Sequence, residues 1–359
     1  MLYSSRAYAS NQDVVRGLTH TITSSPLIAS LIEHIIVSEV SPSKSGIAST
    51  LPLLLVNRLP KLRTITVRNT TLLVNAAFCY SIASFPGLTT LTLCSVNLGN
   101  VPALRRLLTA LPRLDDLTLE WVDCETYGMW ETATLYESRM PRVRRLSLID
   151  ADVTHVVLPL LARHVERLVI SFTMLKTNAL ENVQGLVFER LTSLTLRSYG
   201  ALADDVNEFF SRSRADGLRT LTVVSLVVNL ELMHRPEVVI LVSDERSMLE
   251  QTVLKAGLPQ LESVAIVMEA VLRTDSDKAR AVGLLEEGMP AAVKDCRESM
   301  SVLHRHGQLR VAAVVEWTRE DEVLVCLWPD EGADAAPSYT RHFGVSLLDA
   351  VVNVLEKTP

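Results

Sequence analysis

Leu111-Pro112-Arg113-Leu114-Asp115-Asp116-Leu117-Thr118-Leu119 is one copy of a phrase, apolar–Pro–x–Leu/Val–x–x–Leu–x–Leu, that returns along the chain. Before it stand Leu59-Pro60-Lys61-Leu62 with Ile65 and Val67, and Phe85-Pro86-Gly87-Leu88 with Leu91 and Leu93. After it come Met140-Pro141-Arg142-Val143 with Leu146 and Leu148, and, far downstream, Leu258-Pro259-Gln260-Leu261 with Val264 and Ile266. A period of this length marks a repeat architecture.

With the residue after Pro-x as position 1, the anchors are Leu62, Leu88, Leu114, Val143, Val165, Leu191 and Leu218, separated by 26, 26, 29, 22, 26 and 27 residues. Position 4 is Ile65, Leu91, Leu117, Leu146, Leu168, Leu194 and Leu221. Position 6 is Val67, Leu93, Leu119, Leu148, Ile170, Leu196 and Val223. Position 11 is Leu72, Leu98, Cys124, Val153, Leu175, Ala201 and Val228. All 28 slots are apolar in a chain that is 48% apolar, so chance does not explain the frame.

Positions 4 and 6 are two apart and point to one side of a short strand, while 3, 5 and 7 point to the other. The second set is mostly polar: Thr64, Thr66 and Arg68, then Thr90, Thr92 and Cys94, then Asp116, Thr118 and Glu120. Ahead of each anchor the spacing is helical, as in Val101, Leu104, Leu107, Leu108 and Leu111, and it stops at a proline that cannot continue a helix comfortably. Each unit is therefore strand, turn, helix, and none can bury its apolar side alone. Stacking predicts an α/β solenoid, curved, with a parallel β-sheet on the concave face and helices on the convex face.

The pattern resembles the leucine-rich repeat, L-x-x-L-x-L-x-x-N-x-L. It departs at position 9, where that family has Asn or Cys and this chain has Thr70, Val96, Val122, Ala151, Thr173, Tyr199 and Leu226. Asn97, Asp123 and Asp152 at position 10 are the candidates to replace that side-chain ladder in three units. Irregular units of this kind, with Ser24-Ser25-Pro26-Leu27-Ile28-Ala29-Ser30-Leu31-Ile32-Glu33-His34-Ile35, are similar to fungal F-box-like leucine-rich-repeat proteins over residues 20 to about 320. The resemblance implies a substrate-recognition half that works with a ubiquitin-ligase adaptor. An F-box would need about forty residues before Ser24, opening with a Leu-Pro-x-Glu-like turn, and 23 stand there. Leu51-Pro52-Leu53-Leu54-Leu55 has no acid and falls within a repeat, so ligase docking is not carried over. The sequence leaves two readings: a truncated product whose F-box lies upstream, or a scaffold that recruits no ligase.

Along the chain, residues 1–31 read as an N-terminal helical cap, with a helix over 11–31 split by Pro26. Ile32 to Val37 reads as the first strand and residues 41–46 as a loop. The array spans 32–272, regular to about 230, with a possible extra strand at Val238 to Val242. Residues 273–359 read as a C-terminal repeat and cap: a charged helix over 273–307, strands at Leu309 to Val315 and Val323 to Trp328, an acidic loop at 330–337 and a last helix from Val345 to Lys357.

Net charge −6 gives no basis for nucleic-acid affinity, and 5% aromatic residues leave few stacking platforms. Five widely spread cysteines read as reduced thiols. No signal-peptide pattern opens the sequence, and the longest apolar runs are too short to span a bilayer. Cytosol or nucleus is the expectation, and the sequon Asn69-Thr70-Thr71 is then coincidental.

No phosphate-cradle, dinucleotide or nucleophile-elbow motif is present. Neither Cys-x-x-Cys nor His-Glu-x-x-His occurs, and His304-x-His306 on a charged helix reads as solvated. Asp116 and Glu120 lie four residues apart on a strand, about 13 Å, too far for a glycosidase pair. Cys94 has no histidine neighbour in the pattern, and Trp121 at position 8 has inward parity and reads as packing. No cofactor, metal or catalytic residue is expected.

The open face offers Arg68, Asp116, Glu120, Arg145, Arg167 and Arg197. They read as a charge-graded concave surface for a protein partner, with strands about 5 Å apart bringing the later arginines within reach of one another. The function expected is a non-catalytic protein-binding scaffold. The alternative is a stand-alone leucine-rich-repeat regulator, an inhibitor or GTPase activator, of another enzyme.

Overall fold

The computed structural model describes residues 6–39, 46–124, 140–172, 180, 183, 185–198, 202–229, 243–272, 289–317, 322–328 and 338–343. The chain forms two compact units, Met1–Ile170 with Asn178–Glu189, and Ser171–Thr177 with Arg190–Pro359. Each is built on parallel strands joined through helices, the α/β leucine-rich-repeat solenoid architecture.

In the first unit the strands are β1 (Arg6–Ala9), β2 (His34–Ser38), β3 (Thr64–Thr71), β4 (Thr90–Asn97), β5 (Asp116–Glu120), β6 (Arg145–Ile149) and, as far as Ile170, β7 (Arg167–Phe172). They lie side by side in chain order, each parallel to the next. The sheet thus begins one strand earlier than the sequence suggested, with Arg6–Ala9 paired to His34–Val37 inside the stretch expected to be a helical cap. Four residues are too short for a period-2 pattern to announce itself.

Helices α1 (Gln12–Ser24), α2 (Pro26–Ala29), α3 (Ile47–Leu55), α4 (Ala76–Ala83), α5 (Val101–Ala110) and α6 (Thr154–Leu161) connect these strands. Three begin at asparagines whose Oδ1 accepts a first-turn N–H: Asn11 from Val14, Asn75 from Phe78 and Asn100 from Ala103, at 2.8–2.9 Å. Pro102 follows at the start of α5, where its missing N–H costs nothing. The Pro-x turn then recurs as a backbone bond from position 1 to the residue three before it. Leu62 donates to Leu59, Leu88 to Phe85 and Leu114 to Leu111, at 3.1–3.3 Å.

Register carries the frame through the unit: Ile65 faces Leu91, Leu91 faces Leu117, Leu117 faces Leu146, and Leu146 faces Leu168. These position-4 side chains and their position-6 partners are buried. Ile65, Val67, Leu91 and Leu93 meet Leu51 and Leu55 of α3, Phe78 and Ile82 of α4 and Leu107 of α5 around an apolar cavity of about 20 Å³. At about 1.5–3 kcal/mol per buried aliphatic side chain, this repeated layer is the main driving force for the unit.

A second recurrence sits where the strands end. Asn69, Ser95, Trp121 and Asp150, all at position 8, have φ between 50° and 54°. A left-handed residue interrupts the alternation, so position 9 points inward again: Thr70, Val96, Val122 and Ala151 are buried. Pairing then resumes, Thr70 with Val96, Thr71 with Asn97 and Asn97 with Asp123. Backbone bonds join the turns, Leu72 N–H to the Asn97 carbonyl and Leu98 N–H to that of Asp123, Asn97 Oδ1 accepts the Gly99 N–H, and Val96, Val122 and Ala151 at position 9 are core.

The second unit contains parallel strands β8 (Ser193–Ser198), β9 (Val223–Asn229), β10 (Ser263–Leu272) and β11 (Leu309–Trp317). Strands β12 (Glu322–Trp328) and β13 (Ser338–Phe343) continue from β11 in antiparallel pairing. Among the described residues its α-helices are α7 (Leu202–Arg212), α8 (Ser243–Lys255), α9 (Met289–Ser299) and α10 (Ser301–Arg305). Register corrects the sequence frame here, because Leu194 faces Val224 and Leu196 faces Leu226. Leu221 is therefore position 1 of that unit, and Leu218 is the residue three before it, accepting the Leu221 N–H at 3.2 Å as Leu111 does for Leu114. Val224 is buried and Val223 is not. The 3-residue slip arose because Leu218-x-x-Leu221 and Leu221-x-x-Val224 fit the same apolar spacing.

Glu250 of α8 accepts the N–H groups of Val302 and Leu303 at 2.8 and 3.0 Å and caps α10 from 52 residues away. The slots Leu175 and Ala201, the strand expected at 238–242, most of the loop expected at 41–46, the loop at 330–337 and the helix expected at 345–357 lie outside the described residues.

Candidate functional site

In the first unit the open side of the sheet is built from three registered rows. Position 3 runs His34, Thr64, Thr90, Asp116, Arg145, Arg167 across β2 to β7. Position 5 runs Thr66, Thr92, Thr118, Ser147, a row of hydroxyls. Position 7 runs Ser38, Arg68, Cys94, Glu120, Ile149.

The six charged residues read from the sequence therefore divide. Asp116, Arg145 and Arg167 share one row, and Nη2 of Arg145 lies 3.1 Å from Oδ2 of Asp116. Arg68 and Glu120 belong to the other row, on either side of Cys94. The rows are four residues apart along each strand, about 13 Å. Arg197 stands at position 7 of β8 in the second unit, opposite Val227 of β9. Arg197 sits at a different position in its repeat from Arg145 and Arg167.

One residue before the position-3 row, Arg144 grips Asp115 through Nε at 2.5 Å and Nη2 at 2.9 Å, the fork geometry of a guanidinium on a carboxylate. Those bonds, with Glu166 nearby, hold the guanidinium above its ordinary range. The start of the strands is a band carrying Lys61, Arg63, Arg113, Arg142, Arg144, Arg145, Arg163 and Arg167, all exposed, against Glu33, Asp115, Asp116, Glu166 and Glu189, with Arg163 paired to Glu189 at 2.6 Å; the excess is basic. The far end carries Glu120, Asp123, Asp150 and Asp152 against Arg68. Charge is graded along the strands, a direction the repeat numbering did not suggest.

Two uncharged groups sense this field. Burial, then Arg6 and Arg68, pushes the His34 imidazole below its ordinary value, and its Nε2 lies 2.9 Å from Thr66 Oγ1. Burial, then the Glu120 carboxylate, pushes the Cys94 thiol up to about 11. An elevated thiol is a poor nucleophile at neutral pH.

No protein-family model and no curated protein matches the sequence. Among solved structures, the chain is similar to the leucine-rich repeat-containing protein LegL7 from Legionella pneumophila, with a TM-score of 0.47 and 14% identity over 88% of this chain and 91% of that one.

Trp121 overturns its expected role. The left-handed backbone at position 8 turns it outward, and it is 53% exposed, beside Glu120 at the acidic end of β5. The signal was present in the residue types, since Asn69, Ser95 and Asp150 at the same position tolerate local turns. His304 sits on α10 and His306 just beyond it, and among the described residues no group of three His, Cys, Asp or Glu is placed to hold a metal. Among those residues no helix is long and apolar enough to cross a membrane.

Proposed function

We propose that this chain is a non-catalytic protein-binding scaffold whose recognition surface is the open side of the first-unit sheet. The supporting observation is the division of each strand. Positions 4 and 6 are consumed by the core, while the row Asp116, Arg145, Arg167 stands on the other side, with Arg145 and Arg167 exposed. Rigid strands present such charges at fixed spacing, which suits recognition by complementary charge. Cytosol or nucleus is the proposed location, consistent with free Cys79, Cys94, Cys124 and Cys296.

The test is capture of partners by the full chain and by an Arg145→Ala/Arg167→Ala variant, with unfolding followed in parallel. Loss of the captured protein with an unchanged unfolding midpoint supports the surface; unchanged capture rejects it. A finer form of this reading is substrate recognition for a ubiquitin ligase, supported by the sequence resemblance of residues 24–35 and the Pro-x-Leu units to fungal F-box-like proteins. Co-purification of the chain with a ligase adaptor tests that form directly.

A further inference from the structure

Beside the basic band, at the entry to β5 and β6, lies a groove of about 530 Å³ walled by Pro112, Arg113 and Asp115 on one side and Met140 and Arg142 on the other. Its charge is not balanced from within. Asp115, the one acid among the groove-lining residues, is already held by two bonds from Arg144. Arg113 spends one donor on the Pro86 carbonyl at 2.8 Å, out of the five a guanidinium has. Arg142 is exposed and has no ion-pair partner among the described residues. Two guanidinium groups thus flank a cleft with apolar surface from Pro112 and Met140, and the sheet beside it presents the exposed Arg167 and the Asp116-paired Arg145.

We infer that this groove docks an acidic peptide segment of the partner protein, carboxylates on Arg113 and Arg142 and an apolar side chain between them. Paired arginines favour carboxylates because the planar fork matches their geometry. The volume falls within the range of about 300–1,000 Å³ found for ligand clefts and admits a short extended segment, not a folded domain. The inference rests on the protein-binding reading and adds the chemistry of the partner.

The experiment is fluorescence anisotropy of the full chain with a labelled peptide of alternating glutamate and leucine, against its lysine–leucine counterpart. Tighter binding of the glutamate peptide by at least tenfold is expected, with a further loss of at least tenfold in Arg113→Gln/Arg142→Gln. Equal binding of the two peptides overturns the inference, as does wild-type affinity in the double variant. Arg142→Gln alone breaks no bond within the fold, so it keeps the test decisive if the double variant unfolds. Displacement by millimolar inorganic phosphate would mark a simple anion site and overturn the peptide assignment. If Arg145→Ala/Arg167→Ala abolishes peptide binding while the groove variants do not, the groove is wrong and the sheet surface stands. If neither variant matters, both readings fall.

Discussion

The N–H of Trp121 donates to the carbonyl of Ile149 at 2.9 Å, fixing a tryptophan at φ 51° at the end of β5. The bond joins neighbouring repeats at the point where each strand turns, and its cost is a side chain held in a left-handed backbone. That cost is about 1–2 kcal/mol for a residue with a Cβ.

Trp121→Gly relieves the backbone and sacrifices only a half-exposed ring. Its urea unfolding free energy should stay within about 1 kcal/mol of wild type, whereas a packed tryptophan truncated this far would lose about 3–5 kcal/mol. A loss in the larger range would return Trp121 to the core.

The corrected frame of β9 makes adjacent valines unequal. Val224→Ala should cost about 2 kcal/mol because Val224 is fully buried, and Val223→Ala under about 1 kcal/mol. Denaturant midpoints for the two variants check the register, and the reverse order would restore Leu218 as the anchor.

Glu39 is 3% exposed and accepts the Ala48 N–H at 3.1 Å, serving α3, whose own N-cap is Gly46 with no side chain to offer. Glu39→Ala leaves that N–H without its acceptor and should cost about 1–3 kcal/mol. Glu39→Gln keeps an oxygen in place and should recover part of the loss. Thermal unfolding of the pair separates capping from packing.

At pH 9 a thiol with an ordinary value of 9.0 is half ionised, while Cys94, pushed up to about 11, is ionised to about one part in a hundred. Iodoacetamide should label Cys94 far more slowly than an unfolded-chain cysteine at that pH, read by peptide mass spectrometry. Glu120→Gln removes a carboxylate that raises the thiol, so labelling should accelerate. The folded value lies above the unfolded one, so the stability tied to the neutral thiol is intact below pH 9 and is lost as pH rises from 9 towards 11.

Much of the repeat is legible because burial imposes one residue class at fixed spacing, which alone brings Leu91, Leu117 and Leu146 into one frame. The short β1 is not, since four residues with alternating exposure resemble any loop. The frame of Leu221 is not either, because a run of apolar residues permits two phases that only the hydrogen-bonded neighbour can distinguish. For the site, strand parity placed Asp116 and Arg145 on the open side, while the parity argument failed at Trp121, where one left-handed dihedral reversed it.

By itself the sequence determined that units of strand, turn and helix stack, which side of each strand is core, and which charged residues are left over. Hydrophobic burial is non-directional and strong, so its periodicity survives in one dimension. Tertiary structure alone decided which charges meet: that Arg145 pairs with Asp116, that Arg144 neutralises Asp115, and that Arg113 and Arg142 are left flanking a groove. Those outcomes depend on register between strands 26 to 29 residues apart, and ion pairs fix distances of a few ångströms that no spacing along a chain encodes.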